Sequence, residues 1–198
     1  MKRDVVLAGF GGQGMLLIGK LLSLAAMDEG KEVTWVPSYG PEMRGGTANV
    51  AVTISDEPIG SPVTATPWSA AVMNQPSLEK FGPVLLPGGL LIINSSLVPV
   101  TFERDDIDIM YLPANKLANS IGATRSPNVV VMGAYVCLTG CVSYGSATHQ
   151  LEYQFGHKPK VLEINVQAFQ LGWDAAVAYL AQRGKVPPGE VRESAAGD

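Results

Sequence analysis

Six residues near the start of the chain, Gly9-Phe10-Gly11-Gly12-Gln13-Gly14, constrain the fold more than any other segment. They separate a short apolar run, Asp4 to Ala8, from a stretch between Met15 and Asp28 that is apolar round most of its circumference. The first reads as a strand and the second as a helix that Gly30 can cap. A helix apolar on every side is a buried one. Glu32 to Val36 reads as the next strand, so the three make a β-α-β unit, a connection that is right-handed in nearly all known cases. The glycines fit G-x-G-x-x-G with one glycine added. In that pattern the first glycine permits a tight turn, the second lets a phosphate approach the backbone, and the third lets helix and strand pack closely. Gly9, Gly11, Gly12 and Gly14 are therefore candidates for holding an anion or phosphate on backbone N–H groups at a helix start.

The remainder of a dinucleotide fingerprint is missing. An acid should follow about 20 residues on, at the end of the second strand, to bind a ribose hydroxyl. That strand ends Trp35-Val36-Pro37-Ser38-Tyr39, and the first acid beyond it is Glu42. The loop is thus open to two readings besides a dinucleotide site: a phosphate site, or a tight turn that serves packing alone. Gly14 to Lys20 also fits G-x-x-x-x-G-K, but Leu21 stands where a nucleotide loop needs Ser or Thr for Mg²⁺.

Further along, Ser38 to Gly46 is a glycine-rich loop and Thr47 to Ser55 a β-branched, alternating strand. Residues Ile59 to Pro67 are irregular. Ala70 to Met73, Gly89 to Asn94 and Ile107 to Leu112 read as strands, Ser77 to Phe81 as a helical turn, and Pro113 to Ile121 as the start of a helical half. Asn128 to Leu138 predicts a buried helix, Ala147 to Gln154 a short one, and Val161 to Arg183 a long amphipathic one broken near Gly172. Residues 1–183 form one domain, and 184–198, rich in Pro, Gly, Glu, Ser and Ala, a flexible tail. Alternating strands and helices predict a single Rossmann-like three-layer α/β domain with a mostly parallel sheet.

The 198 residues suit one domain. Only 16% are charged, against about 25% in typical soluble domains, which suggests a surface partly covered by other protein. A net charge of −4 argues against a nucleic-acid binder. No apolar stretch approaches the ~18 residues of a membrane span, and Met1 to Asp4 runs into a strand with no leader pattern, so a cytoplasmic location is expected. The two cysteines, Cys137 and Cys141, are too few for a disulfide scaffold, zinc site or iron–sulfur cluster and read as core packing on an apolar helix. His149 and His157 stand alone, no serine lies in a G-x-S-x-G context, and Trp35, Trp68 and Trp173 read as packing residues.

The segments GFGGQG, VTWVPSYGPEMRGGTANVAVTIS, EPIGSPV, LPANKLANSIGATRSPNVVVMGAY and VLEINVQAFQLGWDAA together resemble the gamma subunit of 2-oxoacid:ferredoxin oxidoreductases, most of all the 2-oxoglutarate members. The likeness extends to about Arg183, and SYGPEMRGG is its most specific part. It implies a subunit with no catalytic residue and no metal of its own. Thiamine diphosphate with its Mg and the 4Fe-4S clusters would sit on alpha, beta and delta partners, with coenzyme A and ferredoxin met by the whole complex. This chain's only Gly-Asp pair is Gly197-Asp198, so a thiamine site is not expected in it. The likeness further implies that Ser38, Tyr39, Gly40, Pro41, Glu42, Arg44, Gly45 and Gly46 form an interface wall near the active centre; the low charge content and loops with exposed Tyr39, Met43 and Trp68 suit a chain covered by other subunits. Arg44 would face a coenzyme A anion or a partner carboxylate, while a solvated loop with a local Glu42–Arg44 pair is the alternative. Asn49 and Asn128 are secondary candidates, each also readable as a turn or capping residue. The rivals are a stand-alone Rossmann-type dehydrogenase and a non-catalytic interaction module.

Overall fold

A computed structural model describes residues 1–39, 47–62 and 65–188. The apolar run before the glycine loop is strand β1 (Lys2–Phe10), and the all-round apolar stretch is helix α1 (Met15–Asp28). Then come β2 (Glu32–Tyr39), β3 (Thr47–Ser55), β4 (Ser69–Val72), α2 (Gln75–Phe81), β5 (Leu90–Asn94) and β6 (Asp108–Leu112). Four helices close the chain: α3 (Ala114–Ser120), α4 (Pro127–Thr139), α5 (Tyr144–Phe155) and α6 (Pro159–Ala181).

The six strands form one sheet in the order β2-β3-β1-β4-β5-β6. β1, β4, β5 and β6 are mutually parallel; β3 runs against both β1 and β2, so five of the six strands point one way. The mostly parallel sheet is as expected, but the first β-α-β unit is split. β3 is inserted between β1 and β2, and Ala48 pairs with Gly9 on one side and Tyr39 on the other. β2 is therefore an edge strand. That explains why it continues through Pro37 to Tyr39 rather than ending at Val36: a missing N–H is tolerated where no neighbour needs it.

The layers are uneven. Val5, Leu7, Val52, Ile54, Ile92 and Leu112 point to the face that packs α1, α3, α4, α5 and α6. Val6, Ala8, Val72, Leu91 and Ile93 point to the other, which receives Leu78 and Phe81 of α2 and the loop residues Leu85, Val98 and Phe102. Burying each such aliphatic side chain contributes about 2 kcal/mol. Because α4 lies between the sheet and α6, twelve of its thirteen residues are buried, which is what its unbroken apolar sequence requires.

Three expectations need correction. α6 is continuous through Gly172, because that glycine admits the backbone of α4 rather than breaking the helix. Cys137 lies on α4, but Cys141 falls beyond its Gly140 cap; both are buried and neither is in a disulfide. Finally, residues 184–188 pack back on the fold. Gly184 (φ 63°) ends the turn after α6, Lys185 pairs with Asp108 at 3.1 Å, and Pro187 is buried. Residues 189–198 of the expected tail lie outside the described residues.

Candidate functional site

The connections after β1 and β4 depart to opposite halves of the sheet. In open α/β sheets the crevice above the carboxyl ends of the strands at such a reversal is where ligands bind. Here it holds a cleft of about 530 Å³, lined by Gly12, Gln13 and Gly14 after β1, Met73 after β4, Asn115 of α3, and Thr124, Arg125, Pro127 and Asn128 at the start of α4.

The loop owes its shape to Gln13. Its Oε1 accepts from Phe10 N–H at 2.6 Å, its backbone N–H donates to Phe10 O at 3.1 Å, and Nε2 reaches Met73 O at 3.5 Å. Gly14 then caps α1 in the left-handed region (φ 75°), where a β-carbon would collide with the Asn128 side chain. Asn128 is buried and its Nδ2 donates to Gly14 O at 3.1 Å, so α4 is tied directly to the glycine loop. A second amide anchors the far side. Asn94, buried at the end of β5, accepts from Ala114 N–H at 3.2 Å and donates to Asn115 Oδ1 at 2.7 Å.

Two helices, α1 and α4, begin at this cleft. Neither has a side-chain cap or an acid in its first turn, whereas α2 and α5 are capped by Asn74 and Ser143. Uncapped N-termini leave N–H donors and the positive dipole end exposed to a ligand. None of the lining residues is acidic, and the one that is charged, Arg125, makes no ion pair among the described residues. The lining thus offers backbone donors and one positive charge, with no carboxylate to compete for them.

Of the predicted residues, the structure brings Gly12, Gly14 and Asn128 together in the cleft, with Gly9 one residue from the end of β1 and Gly11 exposed in the turn. Ser38 and Tyr39 are the exposed last residues of β2, and half-buried Asn49 lies between Ala8 and Ser38 on the neighbouring strands. β2 ends and β3 begins at the same end of the sheet as the glycine loop. Gly40, Pro41, Glu42, Met43, Arg44, Gly45 and Gly46 lie outside the described residues. Sequence reasoning missed Asn94, Asn115, Thr124 and Arg125. An asparagine closing the apolar strand GLLIIN was a usable signal for the first; the others carry none.

Among the described residues no three His, Cys, Asp or Glu side chains come together as a metal site, and no helix is long and apolar enough to cross a membrane. Trp68 and Trp173 are half-buried, Trp173 against the Tyr144 ring at 5.1 Å, while Trp35 is 39% exposed.

These features define a doubly wound α/β domain with a polar, acid-free cleft at its switch point. The chain belongs to the pyruvate ferredoxin/flavodoxin oxidoreductase family, whose model matches residues 4–175, and is of the gamma-subunit kind. It is 34% identical over 181 residues to the 2-oxoglutarate synthase subunit KorC of Methanocaldococcus jannaschii, covering 89% of this chain and 95% of that one. It is 36% identical over 170 residues to the ketoisovalerate oxidoreductase subunit VorA of Methanothermobacter thermautotrophicus; the match covers 85% of this chain but only 35% of that longer relative. The solved gamma subunit of a keto/oxoacid ferredoxin oxidoreductase from Geobacter sulfurreducens superposes with a TM-score of 0.77 at 30% identity, over 89% of this chain and 99% of that one.

Proposed function

We propose that this chain serves a cytoplasmic, thiamine-diphosphate-dependent 2-oxoacid:ferredoxin oxidoreductase acting on 2-oxoglutarate, and that its glycine-loop cleft holds a phosphate of coenzyme A. The overall reaction joins a 2-oxoacid and coenzyme A to give an acyl-CoA and carbon dioxide, with two electrons passing singly to ferredoxin. The observation that carries the cleft assignment is the convergence of two uncapped helix starts on an acid-free cavity with an unpaired arginine. Phosphate matches such donors, and a guanidinium adds a charge-assisted fork.

The described residues do not fit thiamine diphosphate or an iron–sulfur cluster, since both cysteines are packed in the core and no carboxylates converge. No step of decarboxylation or electron transfer is derived from them; alpha, beta and delta partners would hold those groups. Ser38 to Gly46, with Arg44, would then face those partners beside the same cleft. A free-standing dehydrogenase is disfavoured by the split unit: β3 puts the end of β2 two strands, roughly 10 Å, from the loop, and no acid stands there.

The test is Arg125→Ala in the assembled complex. The Michaelis constant for coenzyme A should rise about tenfold, equivalent to about 1.4 kcal/mol, with that for 2-oxoglutarate and the turnover number unchanged. Unchanged coenzyme A kinetics in both this variant and Arg44→Ala would remove the cleft assignment. Faster turnover of branched 2-oxoacids than of 2-oxoglutarate would replace the substrate.

A further inference from the structure

A second groove, of about 440 Å³, opens at the other end of the sheet, under the amino ends of β1, β5 and β6. Leu90, Leu138, Leu180 and Val186 give it apolar walls, and Val186 is 62% exposed. Arg3 enters from β1 and lies over the Trp68 ring at 4.3 Å. That ring is fixed: its indole N–H donates to Gly88 O at 3.1 Å, and the Trp68 backbone N–H donates to Asp4 Oδ1 at 2.5 Å. Arg3 Nε is buried with no acceptor, and no carboxylate pairs with the guanidinium among the described residues. The nearby acid Asp108 is already held by Lys185 at 3.1 Å, and Arg183 adds a further cation on the Tyr179 ring at 3.7 Å.

A guanidinium held over an indole is partly ordered before any partner arrives. Leaving a buried donor without an acceptor is costly, and a carboxylate accepts two parallel N–H bonds from such a fork. The apolar walls ask for a side chain beside that carboxylate. In a chain of net charge −4, the groove is lined by two cations, Arg3 and Lys185, and one acid, Asp108. VorA carries the matched region as 35% of its length, so such a domain is built to lie against other protein. The geometry points to the groove as a docking site for an acidic segment of another polypeptide of the same enzyme, with an Asp or Glu on Arg3 and its apolar neighbour between Leu138 and Leu180. This rests on the subunit reading proposed above. It places the contact at the end of the sheet remote from the glycine loop, so docking leaves the anion cleft open.

The experiment is photocrosslinking in the complex purified from producing cells, with a benzophenone amino acid replacing Val186 in the full chain. A cross-link to an oxidoreductase polypeptide is expected, with an Asp or Glu within about three residues, about 10 Å, of the attachment point. Arg3→Gln should lower its yield about tenfold and Arg3→Lys should restore part of it, with unfolding temperature and saturated turnover unchanged. A cross-link confined to this chain, one to a segment without an acid, none at all in an intact complex, or equal yield from Arg3→Gln overturns the proposal. Displacement of the cross-link by millimolar succinate at constant ionic strength, with no acidic segment attached, would assign the groove to a small carboxylate instead. A chain that purifies alone defeats the subunit reading itself, which sedimentation separates from every other outcome.

Discussion

Gly133 of α4 and Gly172 of α6 face each other's helix: a β-carbon on Gly133 would fall well inside 3.0 Å of Phe169 O, and one on Gly172 well inside 3.0 Å of Val130 O. The two backbones touch because neither residue carries a side chain. That contact holds α6 over α4, and α4 in turn presents its first turn to the glycine loop.

Replacing either glycine therefore wedges the helices apart. Gly172→Ala should destabilise the fold by about 3 kcal/mol, at the upper end for overpacking. Urea unfolding would show this as a lower midpoint at unchanged slope. The double variant with Gly133→Ala should cost less than the sum of the two, since one displacement relieves both collisions. Additive losses would mean that the contacts are independent.

Asn128→Ala removes the donor to Gly14 O and should cost about 1 kcal/mol of stability. Titration calorimetry with inorganic pyrophosphate should also show affinity down about threefold or more. Asn128→Asp cannot donate and adds a negative charge beside two helix starts, so it should bind more weakly than the alanine variant. Equal affinity in all three proteins would separate this side chain from the anion site.

Glu29, at the end of α1, predicts an acid-sensitive contact. Burial pushes its carboxyl upward, but Lys31 Nζ at 2.7 Å, Ser143 N–H at 2.6 Å and the Ser146 hydroxyl together hold it below the ordinary value of 4.5. A depressed carboxylate stabilises the fold fully above its unfolded value, and that stability is lost as pH falls through the folded one. Glu29→Gln should thus cost about 1 kcal/mol at neutral pH. The gap should close as pH falls below 4.5. A gap independent of pH would show that packing, not charge, sustains the contact.

The cysteines give a simple assay. Cys137 and Cys141 are buried, and burial raises the Cys141 thiol above its usual value. Neither should react with a thiol reagent in the native protein, and both should react after denaturation. Rapid native labelling of either would contradict their place in the core.

Much of this arrangement is legible in the residues. The apolar α1 and the unbroken run of α4 are local patterns with one physical reading each, and both stand where expected, as does the strand–glycine loop–helix order before them. The insertion of β3 between β1 and β2 was hidden, because pairing partners are chosen by the whole sheet and not by any strand's own sequence. Gly172 was misread for a related reason: glycine loosens an isolated helix, yet here it is needed for contact with α4. Part of the cleft lining was visible, since Gly12, Gly14 and Asn128 stand out in the sequence. Arg125 was not, because an arginine in a loop carries no mark of which crevice the fold will turn it toward.

Pro37 in the outermost strand carries a consequence for assembly. A seventh strand laid beside β2 would find no amide hydrogen at that position, and it would cross exposed Glu32 and Ser38 on either side. Along the β2 edge neighbours must therefore approach the end or a face of the sheet, and crowded or partly unfolded copies are denied sideways stacking there, which leaves β6 as the other edge.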